Sequence, residues 1–487
     1  MKWITGIALV LVVLMGTGWI FRAEIALFGI GQLASSQSVI GPTQEITWST
    51  GAVDKTLDPA ERPPNIVLIL ADDLGWNDLS MNGPNPTTQT PNIDALAAQG
   101  VTFSQGYAAN ASCAPSRAAL MSGRYATRFG FEFTPTPPGM IPITNMIGEM
   151  QDRPLLPPGV TSSEESTLTY PEMAMPPSEI TLAELIADAG YHTLHIGKWH
   201  LGLEKGTLPH EQGFAESLLR VGGLYGRLDD PDVIQARQEF DPIDRFLWAA
   251  TGLSARFNGG PLFEPPKYLT DYYTDEAVKA IEANKDRPFF LYLAHWAPHT
   301  PLQATREDYE ALSHIDDHRE RVYAAMIRSL DRGVGQVLDA LKRNGLEENT
   351  LVMFSSDNGP HREGGPNYDP TFFSASGPLT GIKRALTDGG IRVPFLARWP
   401  GKIKAGTVSA HVGYFGDLMS TCAELAGVKP PAGLDSRSIV PTLLGRGEQT
   451  KHDYLYWEFY ERTFRQAVVV ENWKLIRSGM DDERIEL

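Results

Sequence analysis

The sequence predicts an α/β protein built on a largely parallel sheet that is flanked by helices. Continuous apolar runs at residues 65–71, 288–294 and 350–356 have the length and composition of buried parallel strands. Stretches with helical periodicity separate them, the longest at residues 320–344. Strands that alternate with helices imply crossover connections, and therefore parallel strands with helices on both faces of the sheet.

Weaker patterns complete the order of elements. Helical spacing, closed in most cases by glycine or asparagine, predicts helices at residues 92–99, 180–189 and 274–284, and a strand-like run covers residues 191–197. Two long stretches, 131–178 and 218–269, lack periodicity. Long irregular inserts in a compact domain usually serve function, so we expect both at a binding site.

Composition and charge exclude some classes of function. The 487-residue chain has a formal net charge of −17 and no basic run, which argues against nucleic acid as a partner. Only Cys113 and Cys422 occur, so there is no disulfide framework. Cys422 falls on an amphipathic pattern and is predicted to be a buried structural thiol.

The N-terminus predicts a location outside the cytoplasm. Lys2 precedes a nearly unbroken apolar run at residues 4–21, whose length lies between a signal-peptide core and a membrane span. We therefore predict a signal peptide or membrane anchor at residues 1–34, with a tether through residues 4–21 as one form, and a polar linker at residues 35–64. Because Lys2 lies on the short N-terminal side of this run, we predict that the rest of the chain lies in the periplasm or outside the cell.

Oxygen side chains follow two of the predicted strands. Asp72 and Asp73 end the first strong strand, and Asp357 and Asn358 end the last. Carboxyl ends of parallel strands meet at one edge of a sheet, where open α/β sheets bind ligands. Carboxylate and amide oxygens favour Ca²⁺ or Mg²⁺ over Zn²⁺, so the sequence predicts a hard-cation site there.

A cysteine and several cations lie near other element ends. Cys113 stands just before a helix that Pro115 helps to start, where free N–H groups favour an anion. Lys198 and His200 leave one strand together, and His299 follows another. Lys383 lies beside a glycine turn. Each residue alone has an ordinary structural explanation; their shared placement after strands and turns favours a site.

The segment Cys-Ala-Pro-Ser-Arg from Cys113 to Arg117, followed by Gly-Arg-Tyr at residues 123–125, resembles the signature of the formylglycine-dependent sulfatases of the alkaline-phosphatase superfamily. Six motifs in the family's order extend the resemblance over roughly residues 65–476. It implies an alkaline-phosphatase-like catalytic domain at residues 65–445. Short strand patterns at residues 446–487 predict a small antiparallel subdomain, which the resemblance predicts to be incomplete.

The resemblance implies the chemistry of the site. A formylglycine-generating enzyme would convert Cys113 to formylglycine (3-oxoalanine), which faces a Ca²⁺ bound by the four oxygen residues; Mg²⁺ is the alternative ion. Arg117 would stabilise the nucleophile, His200 would accept its proton, and the remaining cations would hold the sulfate and the leaving oxygen. Those remaining cations are Lys198, His299 and Lys383. One departure is Asp388, where the family usually has Glu, which shortens a contact expected to support Lys383.

Two alternatives remain open from the sequence. One is a phosphoester or phosphonate monoester hydrolase on the same fold, and the other is a non-catalytic, membrane-tethered binding protein. For the substrate, we predict aryl or other small hydrophobic sulfates, because both irregular inserts carry many apolar and aromatic residues and few cations. The alternative is that these residues only pack the inserts onto the core. These residues are Phe131, Phe133, Met140, Met146, Met150 and Met173 in the first insert, and Tyr225, Phe246, Trp248, Phe257 and Phe263 in the second.

Overall fold

A computed structural model gives the fold of the chain. The residues that the structure describes are 17, 19–37, 39–51, 62–83, 87–137, 139–150, 170–361, 373–460, 464–479 and 484–487. Most of the apolar run at residues 4–21 and the middle of the first insert, residues 151–169, lie outside them.

Sixteen strands are defined within the described residues. In chain order they are β1 (Asn65–Ala71), β2 (Val101–Tyr107), β3 (His192–Gly197), β4 (Glu216–Arg220), β5 (Val233–Ala236), β6 (Ala255–Phe257), β7 (Leu262–Phe263), β8 (Phe289–Ala294), β9 (Leu302–Thr305), β10 (Thr350–Ser356), β11 (Phe395–Arg398), β12 (Thr407–Tyr414), β13 (Leu455–Phe459), β14 (Arg465–Val470), β15 (Trp473–Ser478) and β16 (Arg484–Glu486).

Ten of these strands form one sheet in the order β12-β2-β11-β10-β1-β8-β3-β4-β6-β7. The five strands from β10 to β4 are mutually parallel, and β12 is parallel to β2. Strands β11, β6 and β7 run antiparallel to their neighbours. The largely parallel α/β sheet predicted from the apolar runs is therefore confirmed.

Twelve α-helices occur in the same described part of the chain. They are α1 (Arg22–Gln37), α2 (Pro91–Ala98), α3 (Cys113–Ser122), α4 (Met140–Met150), α5 (Leu182–Asp188), α6 (Pro242–Ala250), α7 (Leu269–Ala283), α8 (Arg306–Ala311), α9 (His318–Arg343), α10 (Asp388–Ile391), α11 (Asp417–Ala426) and α12 (Val440–Leu444).

The helices cover both faces of the sheet, because the central strands are apolar on both sides. Along β1, residues 66, 68 and 70 pack into one apolar cluster and residues 67, 69 and 71 into the other. Successive side chains of a strand point to opposite faces, so one continuous apolar run supplies both cores. Cys422 is buried on α11, as its amphipathic pattern predicts.

The two inserts contain more regular structure than their sequences indicate. The first carries α4, and the second carries four strands and α6. Helix α7 also begins at Leu269, five residues before its predicted start. Tyr268, in the N-cap position, makes no side-chain hydrogen bond to the first turn of the helix. Short strands and uncapped helix ends leave little periodic or capping signal, and their tertiary contacts select the conformation.

The N-terminal segment packs onto the domain. Helix α1 contacts α6 and α4, and Ala23 on its inner side is buried. In the predicted linker, Trp48 is also buried and donates its indole N–H to Glu276 at 2.9 Å. Among the described helices, none combines the length and the apolar character that crossing a membrane requires.

The tail forms the predicted antiparallel sheet, in the order β13-β14-β15-β16. It lies against the main domain through Trp457, which donates its indole N–H to the carbonyl of Ala108 at 2.8 Å. Arg465 donates to the carbonyl of Arg384 at 3.0 Å. The small sheet thus braces the segment that follows Lys383.

Candidate active site

The strand ends bring the predicted oxygen residues together at one edge of the sheet. Strands β10 and β1 are direct neighbours, so Asp357 and Asn358 lie beside Asp72 and Asp73. The Nδ2 group of Asn358 donates to Oδ1 of Asp73 at 2.7 Å. All four side chains are buried.

Cys113 is the first residue of α3 and faces this cluster. Its Sγ lies 3.5 Å from Oδ1 of Asp72 and 3.7 Å from Oδ1 of Asp73. The ammonium of Lys383 donates to the same sulfur at 3.0 Å. Burial, with the charge of Asp357 next, raises the pKa of Cys113, so the unmodified side chain is a neutral thiol.

Arg117 lies one turn further along α3 and is fully buried. Its Nε and Nη2 both lie 2.8 Å from Oδ2 of Asp357, and Nη1 donates to the carbonyl of Lys198 and to the hydroxyl of Tyr292. Burial acts to lower the pKa of Arg117, but Tyr292 and Asp357 outweigh it and raise the pKa. The guanidinium therefore stays charged and joins α3 to three strands.

Two lysines balance the remaining carboxylates. Nζ of Lys198 lies 2.6 Å from Oδ2 of Asp72, and Nζ of Lys383 lies 2.7 Å from Oδ1 of Asp73. Burial and the charge of Asp357 raise the pKa of Asp72 to about 6. For Asp73, burial acts upward, but Lys383 and His299 hold its pKa well below the usual value.

The donor set fits a hard cation. One ligand atom from each of four residues lies within 4.8 Å of the others, and these residues are Asp72, Asp73, Cys113 and His299. In addition, Oδ1 of Asn358 is buried and accepts no hydrogen bond within the described residues. Buried oxygens without donors are costly unless a cation satisfies them. Their hard oxygen character suits Ca²⁺ or Mg²⁺.

His299 faces the cluster from the end of β8. Its Nε2 lies 3.5 Å from Oδ2 of Asp73, and its ring stacks on Trp296 with centroids 3.8 Å apart. Burial holds the pKa of His299 well below its usual value, although Asp73 acts in the opposite direction. Trp296 also lies 4.7 Å from Nζ of Lys198, and thus supports two of the predicted sulfate ligands.

His200 lies among the cations, but no described hydrogen bond joins it to Cys113. Its backbone has a φ of 68°, a left-handed conformation that is uncommon outside glycine. Burial and then the charge of Lys198 hold the pKa of His200 well below its usual value. Its Nδ1 is buried without a hydrogen-bond partner in the described part of the chain.

Two further site residues were missed by the sequence analysis. Tyr292 contacts Arg117, and Nδ1 of His361 lies 4.0 Å from Oδ2 of Asp73. Nε2 of His361 also lies 3.3 Å from Oδ2 of Asp241 at the start of α6. His361 follows the Asp357-Asn358 strand end by three residues, which was the available signal. Tyr292 falls inside an apolar strand and gave none.

Asp388 does not support Lys383 directly. Its carboxylate accepts from Lys474, from Tyr107 at 3.3 Å and from Arg392 at 3.4 Å. Lys383 is fixed instead by its side-chain contacts and by its own N–H, which donates to the carbonyl of Pro360 at 3.0 Å. The shorter side chain at position 388 therefore leaves the lysine in place.

Most aromatic residues of the second insert pack into the protein. Tyr225, Phe246, Trp248 and Phe263 are buried, and Phe257 is half-buried against a core cluster. In the first insert Phe131 is buried, while its other predicted wall residues are half-buried or exposed, namely Phe133, Met140, Met146, Met150 and Met173. The second insert therefore does not offer the broad apolar wall that its composition predicts.

The fold and the cluster define a site in which cations and buried oxygens suited to a hard cation surround the thiol of Cys113. Comparison with known proteins identifies the class. The sulfatase family matches residues 64–428, and the family of N-sulphoglucosamine sulphohydrolase C-terminal segments matches residues 382–487.

Individual relatives agree. N-acetylgalactosamine-6-sulfatase of Mus musculus is 34% identical over 409 residues, covering 82% of this chain and 69% of the relative. Arylsulfatase A of Homo sapiens is 33% identical over 432 residues, covering 85% and 74%. The crystal structure of Ps i-CgsB in complex with k-i-k-neocarrahexaose has a TM-score of 0.68 and 31% identity, covering 87% of this chain and 86% of that chain.

The chain belongs to the sulfatase family, and it is a sulfuric ester hydrolase. This agrees with the sulfatase interpretation of the Cys113 motif rather than with the phosphoester hydrolase or the non-catalytic alternative.

Proposed function

We propose that the chain hydrolyses sulfate esters with a formylglycine formed from Cys113 and with one bound Ca²⁺, for which Mg²⁺ is the alternative. The observation that carries this is the position of Sγ of Cys113, 3.5 Å from Oδ1 of Asp72 and 3.0 Å from Nζ of Lys383. Sγ occupies the place of the oxygens of the modified side chain. Residues Asp72, Asp73, Asp357 and Asn358 would hold the cation.

Bound there, the cation supplies Lewis-acid polarisation, and the modified side chain supplies the nucleophile. The residues of the chain provide the rest. Lys198 and Lys383 neutralise the sulfate oxygens, and Arg117 stabilises negative charge beside residue 113. His299, whose Nε2 lies 3.5 Å from Oδ2 of Asp73, borders the side of the leaving oxygen in this proposal. His200 is neutral because its pKa is lowered, so its open Nδ1 is available as a proton acceptor.

The leaving group that the site supports best is a polar alcohol, such as the hydroxyl group of a sugar. Asp241 and His361 border the catalytic cluster, and hydrogen-bonding side chains at that position suit hydroxyl groups. One relative is named N-acetylgalactosamine-6-sulfatase, and the similar structure of Ps i-CgsB was determined in complex with k-i-k-neocarrahexaose. Aryl or other small hydrophobic sulfates remain the second candidate, supported by Phe133 and the methionines of the first insert, which are not fully buried.

One panel of substrates tests the reaction and the leaving group together. The matured enzyme is assayed on an aryl sulfate, the matching aryl phosphate, a steroid sulfate and sulfated monosaccharides. We expect sulfate to be preferred over phosphate, and at least one monosaccharide sulfate to exceed the steroid sulfate in kcat/KM by more than tenfold. Phosphate preference would overturn the reaction, and steroid preference would overturn the polar leaving group.

The variant His361→Ala separates the two parts of this proposal. The variant removes a hydrogen-bonding side chain that we place, with Asp241, beside the bound sugar. The value of kcat/KM for the sugar sulfate should therefore fall about tenfold or more. Turnover of the aryl sulfate should change much less, because an aryl group makes no use of that hydrogen bond. Equal losses on both substrates would instead place His361 in the chemical step.

Maturation and location belong to the same proposal. A formylglycine-generating enzyme is the partner that oxidises Cys113, and the sulfate ester is the substrate partner. The apolar run at residues 4–21 supports a location outside the cytoplasm. Cell fractionation tests this, and full-length protein found soluble in the cytoplasm would contradict it.

A further inference from the structure

The outward side of helix α1 is apolar. Phe21, Ile25 and Phe28 follow one another at intervals of four and three residues, which places them on one face of the helix. Together with the flanking Trp19 and Leu33, their exposed fractions lie between 50 and 69%. We call Phe21, Ile25 and Phe28 the outer α1 face. Large apolar side chains that cluster on an exposed surface indicate a site where a membrane or another protein binds.

The opposite side of α1 is already used for packing. Helix α1 contacts α4 and α6, and a Cβ added at Gly31 would come within 2.7 Å of the carbonyl oxygen of Ala249 on α6. Glu24 pairs with Arg245 of α6 at 3.1 Å. The helix is therefore held on the domain by one face, while none of the described helices is seen to pack on the outer α1 face. A helix that is apolar on both sides can bury both only with a second partner.

Both charged residues of α1 have contacts of their own. They are Arg22 and Glu24. Glu24 is paired with Arg245, and the guanidinium of Arg22 lies 4.2 Å from the ring centroid of Trp19 and donates to its carbonyl.

We infer that the outer α1 face docks on a lipid bilayer and lies in its interface. The apolar run at residues 4–21 leads directly into this face, so one apolar sequence is continuous with one apolar surface. Aromatic side chains such as Trp19 and Phe28 suit the headgroup boundary. Because the net charge is −17, attachment depends on apolar insertion rather than on attraction to anionic lipids.

The docking surface lies close to the active site. Helix α6 begins at Asp241, which contacts His361 beside the carboxylate cluster, and its other end carries α1 at Ala249. Nine helical residues span about 13 Å. A bilayer bound to α1 would therefore hold the catalytic site near the membrane surface.

Vesicle flotation with the full chain tests this. We expect binding to zwitterionic phosphatidylcholine vesicles that changes less than twofold between low and high salt, and at least a tenfold loss for the double variant Ile25→Gln/Phe28→Gln. The matched control Val408→Gln/Val470→Gln changes two exposed valines on β12 and β14 and should bind like the wild type. Hydrolysis of a soluble aryl sulfate checks that every variant is folded.

A fluorescent label gives a second readout. When the label is attached at Phe28→Cys, its emission should shift to the blue on addition of vesicles and be quenched by spin-labelled lipid. The control label at Lys342→Cys, an exposed site at the end of α9, should show neither change. Undiminished binding of the double variant would assign attachment to residues 4–21 alone and overturn the inference. Absence of vesicle binding, or a dimer in solution that the double variant dissolves, would overturn it as well.

Discussion

The ammonium of Lys383 lies 3.0 Å from Sγ of Cys113 and also donates to both carboxylate oxygens of Asp73, at 2.7 and 2.9 Å. One cation thus contacts the side chain proposed as the precursor of the nucleophile and a carboxylate proposed as a metal ligand. Burial acts to lower the pKa of Lys383, but the charge of Asp73 outweighs it and raises the pKa, so this side chain is a cation at neutral pH.

Replacing this charge should impair the reaction. Lys383→Met keeps the length of the side chain but removes a donor aimed at residue 113, and loss of one such donor lowers kcat by roughly 10²–10³-fold. Steady-state kinetics on a soluble sulfate ester measure the effect. The control Lys402→Met, at an exposed position, should retain full activity. A kcat for Lys383→Met within threefold of the wild type would contradict the assignment.

Cys113 should be converted to formylglycine. After coexpression with a formylglycine-generating enzyme, mass spectrometry of the peptide that contains Cys113 should show loss of the thiol and gain of an aldehyde. Cys113→Ala should lower turnover by roughly 10³-fold or more without unfolding the chain. Cys422→Ala is the control, because that buried thiol lies outside the site and should stay unmodified in the wild type. Full activity with an intact Cys113 thiol would refute the proposal.

Calcium should stabilise the protein through Asn358. Its Oδ1 is buried without a donor, so a bound cation would gain a ligand there. A ligand at 100 times its dissociation constant stabilises the folded state by about 2.7 kcal/mol, which raises the unfolding temperature. Asn358→Ala should reduce this increase and lower the bound calcium in elemental analysis, whereas Asn344→Ala, at a half-buried position just after α9, should not. Stoichiometric zinc in the wild type would argue against a hard-cation site.

The buried carboxyl of Asp78 should make stability depend on pH. Its Oδ2 accepts from the N–H of Gly75 and the hydroxyl of Tyr323, both at 2.7 Å. Burial raises its pKa from 3.8 to about 7. Between these values the folded state holds a proton that the unfolded state has lost, so the free energy of unfolding falls as pH rises from about 4 to about 7. The full difference is roughly 4 kcal/mol.

Asp78→Asn preserves an acceptor for Gly75 and Tyr323 and removes the titration. Its free energy of unfolding, measured with urea at pH 5 and pH 8, should therefore fall less over this range than that of the wild type. In Tyr323→Phe the pKa of Asp78 should be higher than in the wild type, because the hydrogen bond from the Tyr323 hydroxyl acts to lower it. The free energy of unfolding should therefore continue to fall to a higher pH than in the wild type. Parallel profiles for Asp78→Asn and wild type would show that this carboxyl does not titrate as described.

The sequence by itself determined the central sheet and the residues at its edge. Strands buried on both faces must be apolar along their whole length, so β1, β8 and β10 are visible as runs, and polar residues that follow them must lie at a shared edge. That is why Asp72, Asp357 and His299 could be assigned to one site without coordinates.

Only the tertiary structure decided which side chains are free. Trp248 lies in the second irregular insert and Phe28 in the predicted N-terminal anchor, and both are large apolar residues. Trp248 is nevertheless buried in the core, whereas Phe28 is exposed on α1. The contacts of Tyr292 with Arg117 and of Asp241 with His361 join residues far apart in the chain, at 3.2 and 3.3 Å. Local periodicity reports which face a residue occupies on its own element, whereas burial depends on which other element covers that face.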